Sequence, residues 1–254
     1  MAGGRGPAPI EAPPLWASEL LTVPETGLRN LSVPLNRPAA ITGRMQWIGG
    51  APQPTAVMLN RITLPLTPFS ILDPLPTMAI AAAGRFAEDA TFRVAGVVPG
   101  KYVLNPIAVP GFPNLKSVLV GGQDITDLPL EVADKDVSEV VITYIDTPLA
   151  ALTITTNAVA TSPPFDDTWL FVLPADRKYW PNVPSARRRY RAAPFSPAGN
   201  VVLDGLPAGD YVVVVTTSAD YQNWQDPAHL EALSRKGQRV TLVDGDKRTM
   251  EVRR

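Results

Sequence analysis

The sequence predicts an all-β protein: two tandem β-sandwiches with one short helix near the C-terminus. Three features lead to it. Apolar residues recur at period two in one run after another. The runs are punctuated by turn residues, with 28 prolines and 18 glycines among 254 residues, roughly twice the usual share of proline. One pattern also returns after about 110 residues, the size of a single sandwich domain. A hydrophobic content of 45% supplies a core, so the prolines mark many turns between short strands and not disorder.

Taken in order, the chain opens with a proline-rich lead, GPAPIEAPPLW, which predicts extended backbone. The alternation that follows, over 15–35, predicts an orphan β-hairpin carrying Leu15, Trp16, Leu21, Val23, Leu31 and Val33. The segments TFRVAGVVPGKYVL (91–104) and NVVLDGLPAGDYVVVV (200–215) each read as strand, tight turn, strand. Further strands are predicted at 138–145, 168–173 and 238–243. The segment 64–84 looks like an insertion and leaves the first domain's strands less defined. DPAHLEALSRKG (226–237) is the one helical stretch, with Asp226 as cap, Pro227 at the first position, basic residues in the last turn and Gly237 as the stop.

The repeat sets the domain plan. Gly96, Gly100 and Tyr102 superpose on Gly205, Gly209 and Tyr211, and Leu130, Val132 and Ile142 superpose on Val240, Leu242 and Val252. A third copy of the closing pattern lies at the front, with Leu21, Val23, Leu31 and Val33 over Leu130, Val132, Val140 and Ile142. The expected organisation is therefore an extension at 1–38, a first sandwich at 39–148 and a second at 149–254. The extension would hold the closing strands of an upstream domain or donor strands for a neighbour.

Composition excludes several chemistries. Without cysteine there is no thiol nucleophile, disulfide or thiolate metal site, and one histidine, His229, leaves no multi-histidine centre. No nucleophile elbow is present, so no catalytic residue is expected. Asp244-Gly245-Asp246 is explained by a hairpin turn, and neither it nor Asp166-Asp167 has the spacing of a calcium loop. No metal or cofactor is expected. A net charge of −1 argues against nucleic acid, and no apolar run is long enough for membrane insertion. The first residues lack the apolar core of a secretory leader.

The repeated motif, VAGVVPGKY in one copy and LDGLPAGDY in the other, resembles the carboxypeptidase regulatory-like domain. That is a transthyretin-like (prealbumin-like, Ig-like) sandwich related to the Cna B-type repeats of bacterial surface proteins. LFVLPADRKYW (170–180), NWQDPAHLEAL (223–233) and QRVTLVDGDKRTMEV (238–252) are similar to the last domain of multi-domain secreted bacterial proteins. The second copy departs from the family at Ala208, where proline is usual. The resemblance implies an exported, non-catalytic module of the cell surface used for attachment, spacing or assembly. It carries no ligand residues across.

Two surfaces stand out as candidates. RKYWPNVPSARRRYR (177–191) gathers cations around aromatic rings. Tyr179, Trp180, Arg187, Arg188, Arg189, Tyr190 and Trp224 would form a platform for polysaccharide or an acidic partner if exposed, with Tyr221 near it. The alternative is a solvated loop with its rings folded back. The orphan strands would pack on the first domain, complete an upstream domain of a longer chain, or add to a neighbouring subunit and so build head-to-tail filaments.

Overall fold

The computed structural model describes residues 15–69, 83–104, 108–156, 168–180 and 188–252, leaving aside Thr26, Pro197 and Gln225. The proline-rich lead, the middle of the 64–84 insertion, Asp166-Asp167, Arg187 and the side chain of Tyr221 lie outside the described residues.

Period-two alternation is realised as strands that bury one face. The first sheet system contains β1 (Ala39–Ile48), β2 (Thr63–Pro68), β3 (Ala83–Phe86), β4 (Thr91–Val97), β5 (Gly100–Leu104), β6 (Asn114–Val120), β7 (Gln123–Asp124), β8 (Leu130–Val132) and β9 (Val137–Ile145). Its strand order is β7-β6-β9-β1-β4-β3-β2-β5-β8. β2 changes partner along its length: Thr63–Pro65 pair with β3 and Leu66–Pro68 pair with β5, which folds the sheet over itself. A one-turn helix, α1 (Ala56–Leu59), precedes β2 and is capped by the Thr55 hydroxyl.

The second system contains β10 (Ala150–Thr156), β11 (Trp169–Pro174), β12 (Arg191–Pro194), β13 (Asn200–Leu206), β14 (Gly209–Thr216), β15 (Gln238–Leu242) and β16 (Lys247–Val252). These form a three-stranded sheet, β13-β10-β16, and a four-stranded one, β12-β11-β14-β15. Between β14 and β15 the chain makes α2 (Ser218–Gln222) and α3 (Pro227–Lys236). The predicted helix is α3, with Asp226 accepting from the Ala228 N–H. α1 and α2 were not expected; each is too short for periodicity to reveal it.

The two systems repeat one topology. β1 pairs antiparallel with β4 and parallel with β9; β10 pairs antiparallel with β13 and parallel with β16. β5 pairs with β8 as β14 pairs with β15. In the repeated turn Gly96 and Gly205 both adopt a positive φ, near 79° and 76°, backbone that a side chain disfavours. The tyrosine after each turn donates its hydroxyl to the carbonyl four residues back: Tyr102 to Val98 at 2.8 Å and Tyr211 to Pro207 at 2.7 Å. Burial raises both phenols, Tyr211 to about 12.

The predicted hairpin at 15–35 does not form. Among the described residues of 15–38 no strand occurs; one antiparallel bridge, Trp16 with Asn36, closes the segment through hydrogen bonds of 3.0 and 2.8 Å. The complete copies explain why. Their closing strands never pair with each other: β8 and β15 join one sheet, while β9 and β16 run beside the first strand of the other. A segment with that pattern therefore needs both sheets of a sandwich, and a hairpin alone buries nothing.

Candidate interaction surfaces

The cationic and aromatic stretch at 177–191 is placed by β11 on one side and β12 on the other, with a 3-10 turn at Arg177–Tyr179 and further 3-10 backbone at Arg188 and Arg189. Its rings turn inward. Trp180 and Tyr190 are buried with Phe171, Leu173, Val212, Val214, Leu230 and Leu233, and Tyr179 and Trp224 pack against that cluster. The Trp180 indole N–H donates to the Pro174 carbonyl at 2.7 Å, and the Tyr190 hydroxyl donates to the Tyr179 carbonyl at 2.9 Å. Tyr190 stacks on Phe171 and leans against Trp224, and burial pushes its phenol well above the ordinary range. Trp180 and Tyr190 lie in the core while Tyr179 and Trp224 are half-buried against it, so the four present no coplanar exposed strip for a sugar; the expected platform is corrected to a packed cluster. The physical reason is the helix α3, which covers the outer face of β11 and β14 and needs large apolar side chains beneath it.

The arginines of the same stretch are spent between the two sheet systems. Arg188 Nε and Arg189 Nε each donate to one carboxylate oxygen of Asp127, at 2.5 and 2.6 Å. Asp127 and Arg189 are buried. Burial works against the charge of Arg189, but Asp127, together with Tyr211 and Tyr179, outweighs it and holds the guanidinium pKa above its usual value. Arg188 reaches further to the Leu115 carbonyl, and Arg189 to the Ala208 carbonyl while lying over the Tyr179 ring. Arg191 donates to the carbonyls of Tyr190 and Gly205. Phe69 of the first system packs against the cluster under α3, and Lys116 pairs with Asp244 at the surface. A stretch that reads as a ligand platform is thus a joint.

His229 sits on α3 with Nε2 3.0 Å from the Asp220 carbonyl oxygen. Gly245 has positive φ in the turn between β15 and β16, as the Asp-Gly sequence predicts. Among the described residues no helix is long and apolar enough to cross a membrane.

The N-terminal segment is the surface that remains open. The repeat places Leu130, Val132, Val140 and Ile142 in the first core at 4, 2, 0 and 0% exposure, whereas Leu21, Val23, Leu31 and Val33 stand at 43, 68, 53 and 37%. Leu15, Leu20, Leu28 and Leu35 are exposed beside them. Trp16 is half-buried where the segment closes on Asn36. Apart from Trp16, the residues expected to form an assembly strand are thus exposed, on backbone that is not strand.

No family model matches the sequence, and no curated protein sequence matches it. No family model thus supports the resemblance to the carboxypeptidase regulatory-like domain, which rests on the two repeated motifs and the segments 170–180, 223–233 and 238–252. Among solved structures the chain is similar to a minor pilin of Streptococcus agalactiae, at 11% identity and a TM-score of 0.32 over 85% of this chain and 94% of that one. It is also similar to a streptococcal ancillary pilin, at 12% identity and a TM-score of 0.29 over 85% of this chain and 68% of that one. A third is a DUF3823 family protein from Parabacteroides merdae, at 12% identity and a TM-score of 0.29 over 82% and 99%. The chain spans about a third of the Bacillus anthracis TIE protein, another such neighbour, where 33% of that chain is covered at a TM-score of 0.27. At these scores the neighbours decide nothing about function.

Proposed function

We propose that this chain is a non-catalytic structural module of the bacterial cell surface, divided into an extension at 1–38 and sandwiches at 39–148 and 149–254. It assembles with its neighbours, head to tail, through the N-terminal segment. One observation carries the reading: the segment repeats a pattern that is core-buried elsewhere in the chain, yet its own apolar residues stand in solvent. An exposed apolar set of this kind marks a protein–protein contact, and a contact between two different surfaces of identical chains propagates instead of closing. The joint formed by Asp127, Arg188 and Arg189 suits a structural module, because it ties the two sheet systems together through buried charge. Export is what the resemblance implies. Electron microscopy and light scattering of the full chain and of a chain lacking residues 1–38 test the proposal. Extended assemblies are expected only for the full chain, and monomers in both preparations overturn it.

A further inference from the structure

The acceptor for the N-terminal segment is visible when the outer edges of the two parallel pairs are compared. In the first system β9 is bordered by β1 on one side and β6 on the other. In the second, its counterpart β16 is bordered by β10 alone among the described residues. Among the described residues no strand covers the outer edge of β16, since α2 and α3 occupy the place in the chain where the first system has β6 and β7.

β6 reads Asn114-Leu115-Lys116-Ser117-Val118-Leu119-Val120, and its pairing with β9 slips between Leu115 and Ser117, so Lys116 is a bulge residue. With that residue set aside, β6 is N-L-S-V-L-V. Residues 30–35 of the N-terminal segment are N-L-S-V-P-L. Leu31, Val33 and Leu35, all exposed, fall on Leu115, Val118 and Val120, which pack on or into the first core. Pro34 falls on Leu119, and proline suits an edge strand and not a central one.

Resting on the assembly reading above, we infer that the segment 30–35 of one copy adds antiparallel to the β16 edge of a second copy as β6 adds to β9, with residues 33–35 facing the second half of β16 and residues 30–32 running on past Val252. The register follows from the repeat. Gly43, Arg44 and Met45 of β1 face Val140, Val141 and Ile142, while Ile154, Thr155 and Thr156 of β10 face Met250, Glu251 and Val252. Val33 therefore comes opposite Val252, Pro34 opposite Glu251 and Leu35 opposite Met250. The edge has room for the apolar side chains: Val140 is fully buried under β6, whereas Met250 is only half-buried. Lys247 and Arg248 guard the first half of β16 against chance pairing, and the inferred contact uses the second half. Both sandwiches hold their own closing strands, so insertion at the closing position of a second copy is blocked, whereas the outer edge of β16 carries no strand among the described residues.

The absence of cysteine makes the test clean. Full chains carrying Pro34→Cys are mixed with full chains carrying Glu251→Cys under mild oxidation. These residues would face each other on the outer side at about 4.5–5.5 Å between Cα atoms, within the roughly 4.4–6.8 Å that a disulfide spans. A 34–251 linkage found by peptide mapping, and lost when Leu31→Asp and Val33→Asp are added, is the expected result. Val202→Cys, on an exposed position of β13, is the control acceptor. Linkage to residue 202 as readily as to 251 overturns the inference, and so does assembly without any 34–251 linkage, which leaves the assembly reading standing. A chain that never assembles overturns both. If the cysteine variants fold poorly, amide exchange of β16 in the unaltered chain decides: it slows with concentration in the full chain only, and unchanged exchange in an assembled chain overturns the contact.

Discussion

The two sandwiches share a topology and differ in what fills the gap between their fifth strand and their closing pair. The first inserts the β6–β7 hairpin, which extends a sheet sideways and covers the edge of β9. The second inserts α2 and α3, which cover a face. The consequences run in opposite directions. In the second sandwich β11 and β14 are buried on both faces, so WLFVLP and YVVVVT read as unbroken apolar runs. In both sandwiches the strand before the repeated turn, β4 or β13, alternates strictly for most of its length. One insertion covers an edge; the other covers a face and, among the described residues, leaves the outer edge of β16 without a strand.

The sharpest way to break this comparison is to remove a side chain that only the second sandwich needs. Phe171→Ala deletes a fully buried ring beneath α3 and is expected to cost about 3–5 kcal/mol. Calorimetry should show the loss in a transition to which β11 and β14 belong, while the first sandwich keeps its own. A single shared shift of equal size would mean the two sandwiches unfold as one.

Next in size is the joint. Asp127→Ala leaves the buried Arg189 unpaired, which is expected to cost about 3 kcal/mol or more. Urea denaturation reads the loss, and small-angle scattering should show the sandwiches adopting a broader range of mutual orientations. An unchanged scattering profile would show that Phe69 and the Lys116–Asp244 pair suffice to hold them.

Smaller effects compare the copies residue by residue. Tyr102→Phe and Tyr211→Phe each delete one hydroxyl donor and should cost roughly 1 kcal/mol. The second is expected to cost more, because the Tyr211 hydrogen bond is buried and its carbonyl acceptor has less access to water. Equal losses in chemical denaturation would remove that distinction.

The smallest difference is in acid. The Thr216 hydroxyl lowers the Asp220 carboxyl, and the backbone N–H of Lys178 lowers Asp176, both in the second sandwich. In the first, the Thr91 hydroxyl lowers Asp89. A carboxylate whose native pKa is depressed contributes stability that is complete above its ordinary pKa and is lost as pH falls through the native value. Stability should therefore decline below the usual carboxylate range, slightly more in the second sandwich. Asp220→Asn should flatten that decline in a pH series of melting curves.

Much of the architecture was legible. The strands at 91–104, 138–145, 168–173, 200–215 and 238–243 and the helix α3 lie where period and capping put them. β1 and β10 were not read as strands, since Ala39-Ala40 and Ala150-Ala151 begin them with small residues that give a weak apolar signal. At the candidate surfaces the sequence picked out the unusual residues and misjudged their use. Trp180, Arg189 and Tyr190 look like a binding loop because local composition does not say which way a side chain turns. Asp127, the partner that fixes Arg188 and Arg189, lies about sixty residues away, and the only signal for it would have been a lone carboxylate opposite a basic run.

By itself the sequence determined the all-β class, the repeat, the turn glycines and the tyrosines that lock those turns. Each of these rests on interactions within a few residues, where period, φ and reach are set by local geometry. Only the tertiary structure decided that Trp180 and Tyr190 are core, that two arginines clamp one distant aspartate, and that β9 is covered while, among the described residues, β16 is not. Those outcomes depend on which elements are brought side by side, and a chain's neighbours in space are chosen by the packing of the whole fold.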